Sequence, residues 1–561
     1  MSKSGHCDGK RGIAGVKAVM AISAGLILLV LPFWYVHRKI GGAFLHLNWL
    51  TSAVWLLPVI LLSFYVKPDR TRDSDISVGI KMPDVLLLLF MFLFLLSGSA
   101  KHPYFFLTDW LNSSGGPGIQ SGLERVVLIT AFIFPLLLLR MVRVGKMLPA
   151  LMVLMQCACI FMFMTATGGK ALWRDDHPSF LFRLWEFGKT FPQLRNYNPF
   201  WNGGQSEQII SVTGAASLGF LFWPLWKFLS VETLYVPALA ATFIVIIPWM
   251  AYISLRIMKM GKIAAYCAGI LALGVTQFQF LWLLKFGTVP SILSLSFVLP
   301  VAACLYRVIF LDGMEKSVGA LLVFSSLMLI QWPLAGIPAL VLVLAVLVNA
   351  RKLNLKKIVF LGVCALIILA FHARTLAVIF LYSGGTVKYV SCAAEMGEKT
   401  RDLSRVWIGG LGSLSAQFQQ VHPVVLFLGV GAVLAGVSGV AWSFVFPAMA
   451  CLLFAATWGG ELFPKMQLER MSIPALYLAI VPASVVAARI FSSGSKRTAV
   501  FLRACLFSIL VIASWQTAKF YGNSGAYRYT VKSQKVEDLT AAITKYTADG
   551  GRVMFAGRTV H

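Results

Sequence analysis

Between Lys170 and Gln208 runs KALWRDDHPSFLFRLWEFGKTFPQLRNYNPFWNGGQSEQ, a polar and aromatic stretch set between long apolar segments. Its adjacent carboxylates, Asp175 and Asp176, are groups that can take a proton from an acceptor hydroxyl or hold a divalent cation such as Mg2+ or Mn2+. Nothing in the sequence makes such a cofactor obligatory. His177 follows at once, then Arg183 and Glu186. Pro178 suits the first turn of a helix, with His177 or Asp176 just before it. The plain alternative is that the acids only start that helix, where the macrodipole favours negative charge by roughly 0.3 to 1 kcal/mol. If the helix runs on to Lys189, Asp176 and Arg183, seven apart, share one face, while Asp175 and Glu186, eleven apart, share another. One carboxylate is then free to act as base while the other orients an acceptor. His177 suits a local hydrogen bond as readily as a ligand contact.

The next stretch, NYNPFWNGG, alternates aromatic and amide side chains before a glycine pair. Trp201 and Asn202 offer a flat face and a hydrogen-bonding amide, a combination that fits a sugar ring. An ordinary Asn/Pro/Gly turn anchored by aromatics reads equally well. A second polar cluster, WGGELFPKMQLERM, spans Trp458 to Met471. Lys465 and Arg470 in it have the charge to grip a phosphate, and arginine does so bidentately. Glu461 and Glu469 are near enough in sequence to satisfy those cations instead. Within the apolar run 358 to 382, His372 and Arg374 lie roughly 12 to 15 Å below the outer end at helical rise. Ionisable groups at that depth face a protein interior or a water-filled cavity, unless Arg374 snorkels outward.

These clusters need a scaffold, and composition says which. Of the 561 residues, 58% are hydrophobic and 13% charged, beyond the range of a soluble domain. Apolar runs of about 20 residues recur, each long enough to cross a hydrocarbon core as a helix. They fall near 13–36, 42–66, 83–99, 126–143, 148–166, 233–254, 263–284, 289–308, 318–331, 337–350, 358–382, 422–440, 442–457, 472–490 and 499–518. The first lacks a small-residue cleavage site and reads as a retained helix. The splits at WPLAG, Trp332 to Gly336, and near Ser438 are the two that a single bent helix would remove. The expected fold is therefore an all-α polytopic membrane protein of about 13 to 15 transmembrane helices.

Charge gives the orientation. The net +27 is concentrated in short turns such as RMVRVGK, RIMKMGK and NARKLNLKK, which the positive-inside rule assigns to the cytoplasm. Topology and anionic lipid account for it better than nucleic acid. The acidic loops, 100–125, 167–232, 383–421, 458–471 and the tail, are then external. The segment SVTGAASLGFLFWPLWKFLS, with Pro224 between tryptophans, reads as interfacial and not as a crossing. The nine cysteines show neither a disulfide framework nor a zinc spacing. Phosphate-loop, HExxH and GxSxG signatures for nucleotide hydrolysis, zinc proteolysis and serine hydrolysis do not occur in the external segments. In the tail, Val536, Leu539, Ile543 and Tyr546 make an amphipathic helix, followed by Gly550-Gly551 and a strand-like RVMF. That is the start of an external α/β segment which the 561 residues leave unclosed, as in a piece of a longer chain.

A multi-spanning chain whose external loop opens on an acidic pair resembles the GT-C superfamily of glycosyltransferases, which use polyprenyl-phosphate-linked sugars. RDDHPSFLFRLWEFGKTFPQLRNYNPFWNGG is more closely similar to the opening loop of prokaryotic membrane proteins labelled 6-pyruvoyl-tetrahydropterin synthase-related, a label without bearing on pterin chemistry here. The likeness covers about 40 residues in detail and the remainder only in architecture. It implies that Asp175 or Asp176 activates the acceptor hydroxyl, and that Arg470, by its late external loop, holds the donor phosphate. In the superfamily the acidic loop usually follows the first helix. Here it follows the fifth predicted span, so residues 1–146 read as added N-terminal helices, 147–518 as the GT-C-like core and 519–561 as the beginning of the external segment. The expected activity is transfer of a sugar from a polyprenyl-phosphate donor to a glycan, lipid or protein acceptor at the outer face of a prokaryotic plasma membrane, with inversion. A lipid or polysaccharide transporter, or a non-catalytic assembly subunit, is the alternative. The transporter expects ionisable residues through several spans and related halves, whereas the spans carry only His372, Arg374 and Arg503 and no internal repeat is visible.

Overall fold

The computed structural model describes residues 144–174, 176–191, 197–198, 205–206, 215–311, 313–314, 317–377, 403–420, 444–463 and 467–492, with scattered positions between 503 and 545. The four spans expected before residue 144, the one at 422–440 and the strand-like RVMF lie outside the described residues. Within them the chain is mostly helical. In order come α1 (Val144–Thr167), α2 (His177–Thr190), α3 (Ala215–Phe222), α4 (Val231–Ile257), α5 (Lys262–Phe286), α6 (Val289–Ser296), α7 (Val298–Leu311), α8 (Val318–Leu329), α9 (Trp332–Val348), α10 (Leu355–Ala377), α11 (Leu403–Gln420), α12 (Phe446–Leu462) and α13 (Ser472–Phe491). Five helical stretches, Met147–Thr167, Val231–Ile257, Ser291–Leu311, Leu355–Ala373 and Leu468–Phe491, are long and apolar enough to cross a membrane.

Local sequence explains the boundaries. Ser230 caps α4 by accepting from the Thr233 N–H at 3.2 Å. Gly168 and Gly169 follow α1, and Gly287 follows α5, all at positive φ, where the absence of a Cβ makes the reversal free of strain. Prolines occupy the first turns of α2, α6 and α9. The apolar run around WPLAG does divide, although at Ile330-Gln331, just ahead of the tryptophan. The Gln331 carbonyl there accepts from the Leu334 and Ala335 N–H groups. The segment read as interfacial forms α3, eight residues long, and one further turn at Leu225–Phe228. At about 1.5 Å per residue, α3 is too short to cross a bilayer. Trp226 fastens the pair by donating from Nε1 to the Leu218 carbonyl at 3.2 Å.

Successive helices reverse, so their turns sort to two ends of the bundle. At one end a Cβ on Gly287 would touch the Asp176–His177 peptide, and Ser291 bonds both Gln331 and Arg470. At the other, Lys357 Nζ donates to the Ile309 carbonyl at 2.9 Å, and Lys352 lies over the Phe310 ring. This second end collects the basic turns that hold Arg256, Lys259, Lys262, Arg351, Lys352 and Lys356. The described positions from 503 to 522 are helical, and Tyr521 packs edge-on against Phe163 of α1. Glu537, Asp538, Ala541 and Lys545 are helical and exposed, as the polar side of the expected tail helix requires.

The Ser291–Leu311 stretch is the most buried of the five and Leu355–Ala373 the least. Several polar groups inside are paired. Gln156 of α1 donates to the Ile244 carbonyl at 2.9 Å, within the wide turn Ala241–Ile246 of α4, and Thr242, Ser254 and Ser484 return their hydroxyls to carbonyls of their own helices. The described cysteines at 157, 159, 267, 304, 364 and 451 carry free thiols. Helices α1, α4 and α5 come closest at Gly269, where a Cβ would stand 2.6 Å from Met152 Sδ and 3.2 Å from the Pro248 carbonyl oxygen. Gly269→Leu is expected to overpack this crossing by about 1 to 3 kcal/mol or more, lowering the thermal unfolding midpoint of the detergent-purified protein by several degrees. Gly319→Ala, where the added methyl meets open space, leaves the midpoint unchanged or higher.

Candidate active site

The acidic loop begins where α1 ends and turns back as α2. Asp176 is the residue before α2, exposed, with helical backbone angles and no side-chain capping bond. The reading in which it merely caps the helix therefore lacks its hydrogen bond, and the carboxylate is left for other partners. His177 is wholly buried. Its Nδ1 lies 2.8 Å from the Tyr235 hydroxyl of α4 and its ring meets the tyrosine edge-on. Asp176 is thus held by its neighbour: His177 fixes the start of α2 to α4, and the Asp176–His177 peptide rests on Gly287.

Arg183 and Glu186 are buried as well, at 8% and 6% exposure, with the Arg183 guanidinium over the Phe180 ring. Helix α2 starts where Pro178 predicts, with Asp176 just before it, but Asp176 is exposed whereas Arg183 is buried. The outward side of α2 carries Trp185, stacked on Phe182 and covered by Lys189 Nζ at 3.8 Å. Asp175, Trp201, Asn202 and Lys465, and the side chain of Arg374, lie outside the described residues. The backbone flanking the NYNPFWNGG turn pairs antiparallel, Tyr197 with Ser206 and Asn198 with Gln205.

The late polar cluster reaches the same end of the bundle. After Gln467, at a left-handed φ of 52°, a tight turn at Leu468–Met471 leads into α13. From it Arg470 Nη1 donates to Ser291 Oγ at 2.9 Å, across 179 residues of chain. The guanidinium is within electrostatic reach of the Glu469 and Asp176 carboxylates. Gln331, from the break between α8 and α9, donates its amide to the same Ser291 Oγ at 3.1 Å. Glu461 is taken elsewhere: its Oε1 accepts from Ser413 of α11 at 2.9 Å, and Gly410 lets Trp458 lie flat on that helix. His372, also buried, has Nε2 3.1 Å from the Ser326 carbonyl and so ties α10 to α8.

Of the residues singled out in the sequence, Asp176 and Arg470 are brought within reach of one another, whereas His177, Arg183, Glu186 and His372 face inward. Sequence reading passed over Gly287, Thr288, Ser291 and Gln331. The signals were a glycine ahead of a helix start with Pro290, and a lone amide, Gln331, between two apolar runs. Among the described residues no group of three His, Cys, Asp or Glu gathers in the manner of a metal site.

No protein-family model matches the sequence, and no curated protein matches it. Among solved structures, the apo oligosaccharyltransferase of Archaeoglobus fulgidus is similar at 14% identity and a TM-score of 0.44, over 72% of this chain and 58% of that one. The archaeal oligosaccharyltransferase AglB from the same organism, in complex with an inhibitory peptide and a dolichol-phosphate, gives 13% and 0.43, over 73% and 61%. The chain thus spans about three-fifths of the length of these structures.

The close seat of Asp176 on Gly287 can be tested. Gly287→Ala meets both a positive φ, roughly 1 to 3 kcal/mol, and a backbone nitrogen 2.7 Å from the new methyl. Its unfolding midpoint is expected to fall clearly further than that of Gly168→Ala, which has φ of 59° but no atom within 4 Å.

Proposed function

We propose that this protein is a membrane glycosyltransferase of GT-C type that moves a sugar from a polyprenyl-phosphate donor to a hydroxyl-bearing acceptor. The observation carrying the proposal is that the Asp176–His177 peptide rests on Gly287 while Arg470 bonds Ser291 four residues further on, so that a carboxylate and a guanidinium share the turn between α5 and α6. Transfer with inversion needs those two charges on opposite sides of one carbon. Asp176, or Asp175 beside it, accepts the acceptor's proton as its oxygen bonds to the anomeric carbon. The bond from that carbon to the phosphate oxygen breaks on the far side, and polyprenyl phosphate leaves against Arg470 and Lys465. Trp201 and Asn202 supply a face and an amide for the sugar, in the loop most similar to the 6-pyruvoyl-tetrahydropterin synthase-related proteins. His177, with Arg183 and Glu186 behind it, acts as a positioning group for the acids. His372 and Arg374 line the inner approach of the lipid.

The basic turns at the opposite end, Arg256 to Lys262 and Arg351 to Lys357, favour that end for the cytoplasm. On this reading the chemistry takes place at the outer face of a prokaryotic plasma membrane, with the N-terminus inside and the tail outside. The catalytic core is 147–518, preceded by the added helices of 1–146 and followed by the external segment of 519–561.

The test is turnover of a radiolabelled polyprenyl-phosphate sugar by membranes carrying each variant. Asp176→Asn or Asp175→Asn is expected to lower kcat by about 10²- to 10⁴-fold, as for loss of a general base. Arg470→Lys keeps the charge but not the fork, and is expected to lower it by about 10²-fold or more. Wild-type turnover in both aspartate variants would remove the assignment of the base.

A further inference from the structure

Beside Arg470 the bundle holds polar atoms that its own chain leaves unanswered. Arg470 Nε, Gln331 Oε1 and Thr288 Oγ1 are all shut from solvent and without a hydrogen-bond partner. Other buried hydroxyls return to their own helices, as at Thr242, Ser254 and Ser484, although Ser217 of α3 is also unpartnered. Here they do not, and each unmade bond costs about 1 to 3 kcal/mol. Thr288, itself only 8% exposed, precedes α6 yet makes no capping bond to it. One turn further along α6, the wholly buried Ser294 hydroxyl is also unpartnered.

Donor arithmetic narrows what belongs there. Ser291 Oγ accepts the Arg470 Nη1–H and meets one end of the Gln331 amide; with that amide turned so that Ser291 donates to its oxygen, the Gln331 NH2 is left to donate to a ligand. Ser291 also fixes the guanidinium by one nitrogen, Nη1, which leaves the edge formed by Nε and Nη2, the fork that grips two oxygens at once. Whichever way the Gln331 amide is turned, one of its ends meets Ser291 and the other meets nothing. Guanidinium and amide meet at Ser291 in the first turn of α6, and Thr288 directly precedes that turn, where the helix macrodipole adds positive potential. A group rich in acceptor oxygens and negatively charged completes this set.

We infer that Thr288, Ser291 and Gln331, with Arg470, form the seat of a phosphate ester. This deepens the glycosyltransferase reading and rests on it only for the prenyl chain as the ester's other half. Three residues without formal charge thereby join the site: Ser291 orients the guanidinium, while Thr288 and Gln331 bond the phosphoryl oxygens.

The experiment measures binding to the full chain in detergent of polyprenyl phosphate, the polyprenol of equal length and inorganic phosphate, for wild type, Thr288→Val, Gln331→Leu and Gln331→Glu. Polyprenyl phosphate is expected to bind wild type about 10-fold or more tighter than polyprenol, and each of the first two variants to weaken it by about 5- to 10-fold, the loss of one charge-assisted hydrogen bond. Gln331→Glu, nearly isosteric, is expected to abolish phosphate binding while retaining the wild-type melting profile. Inorganic phosphate binding as tightly as the lipid would keep the seat and make its ligand a water-soluble ester. The inference is overturned if polyprenol binds as well as its phosphate, or if all three variants hold polyprenyl phosphate within twofold of wild type. Phosphate binding lost in the variants of a protein without transferase activity would uphold the seat and refute the enzyme. Transfer retained with unchanged variant affinities would do the reverse.

Discussion

A guanidinium drawn partly into a helical bundle must be held by fixed partners, and the arrangement of this protein's acidic end follows from how Arg470 is held. Desolvation makes an unaccompanied cation expensive, so an acceptor must meet it inside the bundle. The Ser291 hydroxyl accepts from one of its nitrogens at 2.9 Å. That single bond joins the two most buried spans, Ser291–Leu311 and Leu468–Phe491. The turn before α6 and the break before α9 are drawn to the same point, because Gln331 shares the serine. Loops from three separate parts of the chain are thus brought into register by one hydroxyl.

The opposing carboxylate is positioned by other means. Asp176 has no bond to its own helix, and it depends instead on what its neighbours do. Behind it His177 is locked to Tyr235; beneath it Gly287, with no side chain, admits the peptide at contact distance. The backbone is held tightly while the carboxylate stays exposed, the combination a reacting group at a rigid surface requires. Charge is distributed to match. Among the described residues the carboxylates gather at this end, mixed with lysines and arginines, whereas the turns at the other carry basic residues.

Much of this was legible in the sequence, and what was not has identifiable causes. Apolar runs announce membrane helices because length and hydropathy alone set the condition, and each described span lies within a few residues of its expected place. The helix at Leu403–Gln420 was read as loop, since its glycines and polar residues obscure a face that packs on α12 through Gly409 and Gly410. In the site, residue type singled out Asp176 and Arg470, but proximity across hundreds of residues is a property of topology and has no local signal. The inward turn of Arg183 and Glu186 escaped because spacing says which side chains share a face and not whether that face meets solvent or the bundle. Thr288, Ser291 and Gln331 read as ordinary helix starts and breaks. Only an inventory of satisfied and unsatisfied hydrogen bonds sets them apart.

The buried stretch that begins at Ser291 also carries, toward its far end, the Ile309 carbonyl to which Lys357 is tied. Eighteen residues at helical rise put those two attachments about 27 Å apart on what is nearly one rod. Tilting it at the Ser291 end would pull on the lysine tether at the other, so the two ends of the bundle are geared together.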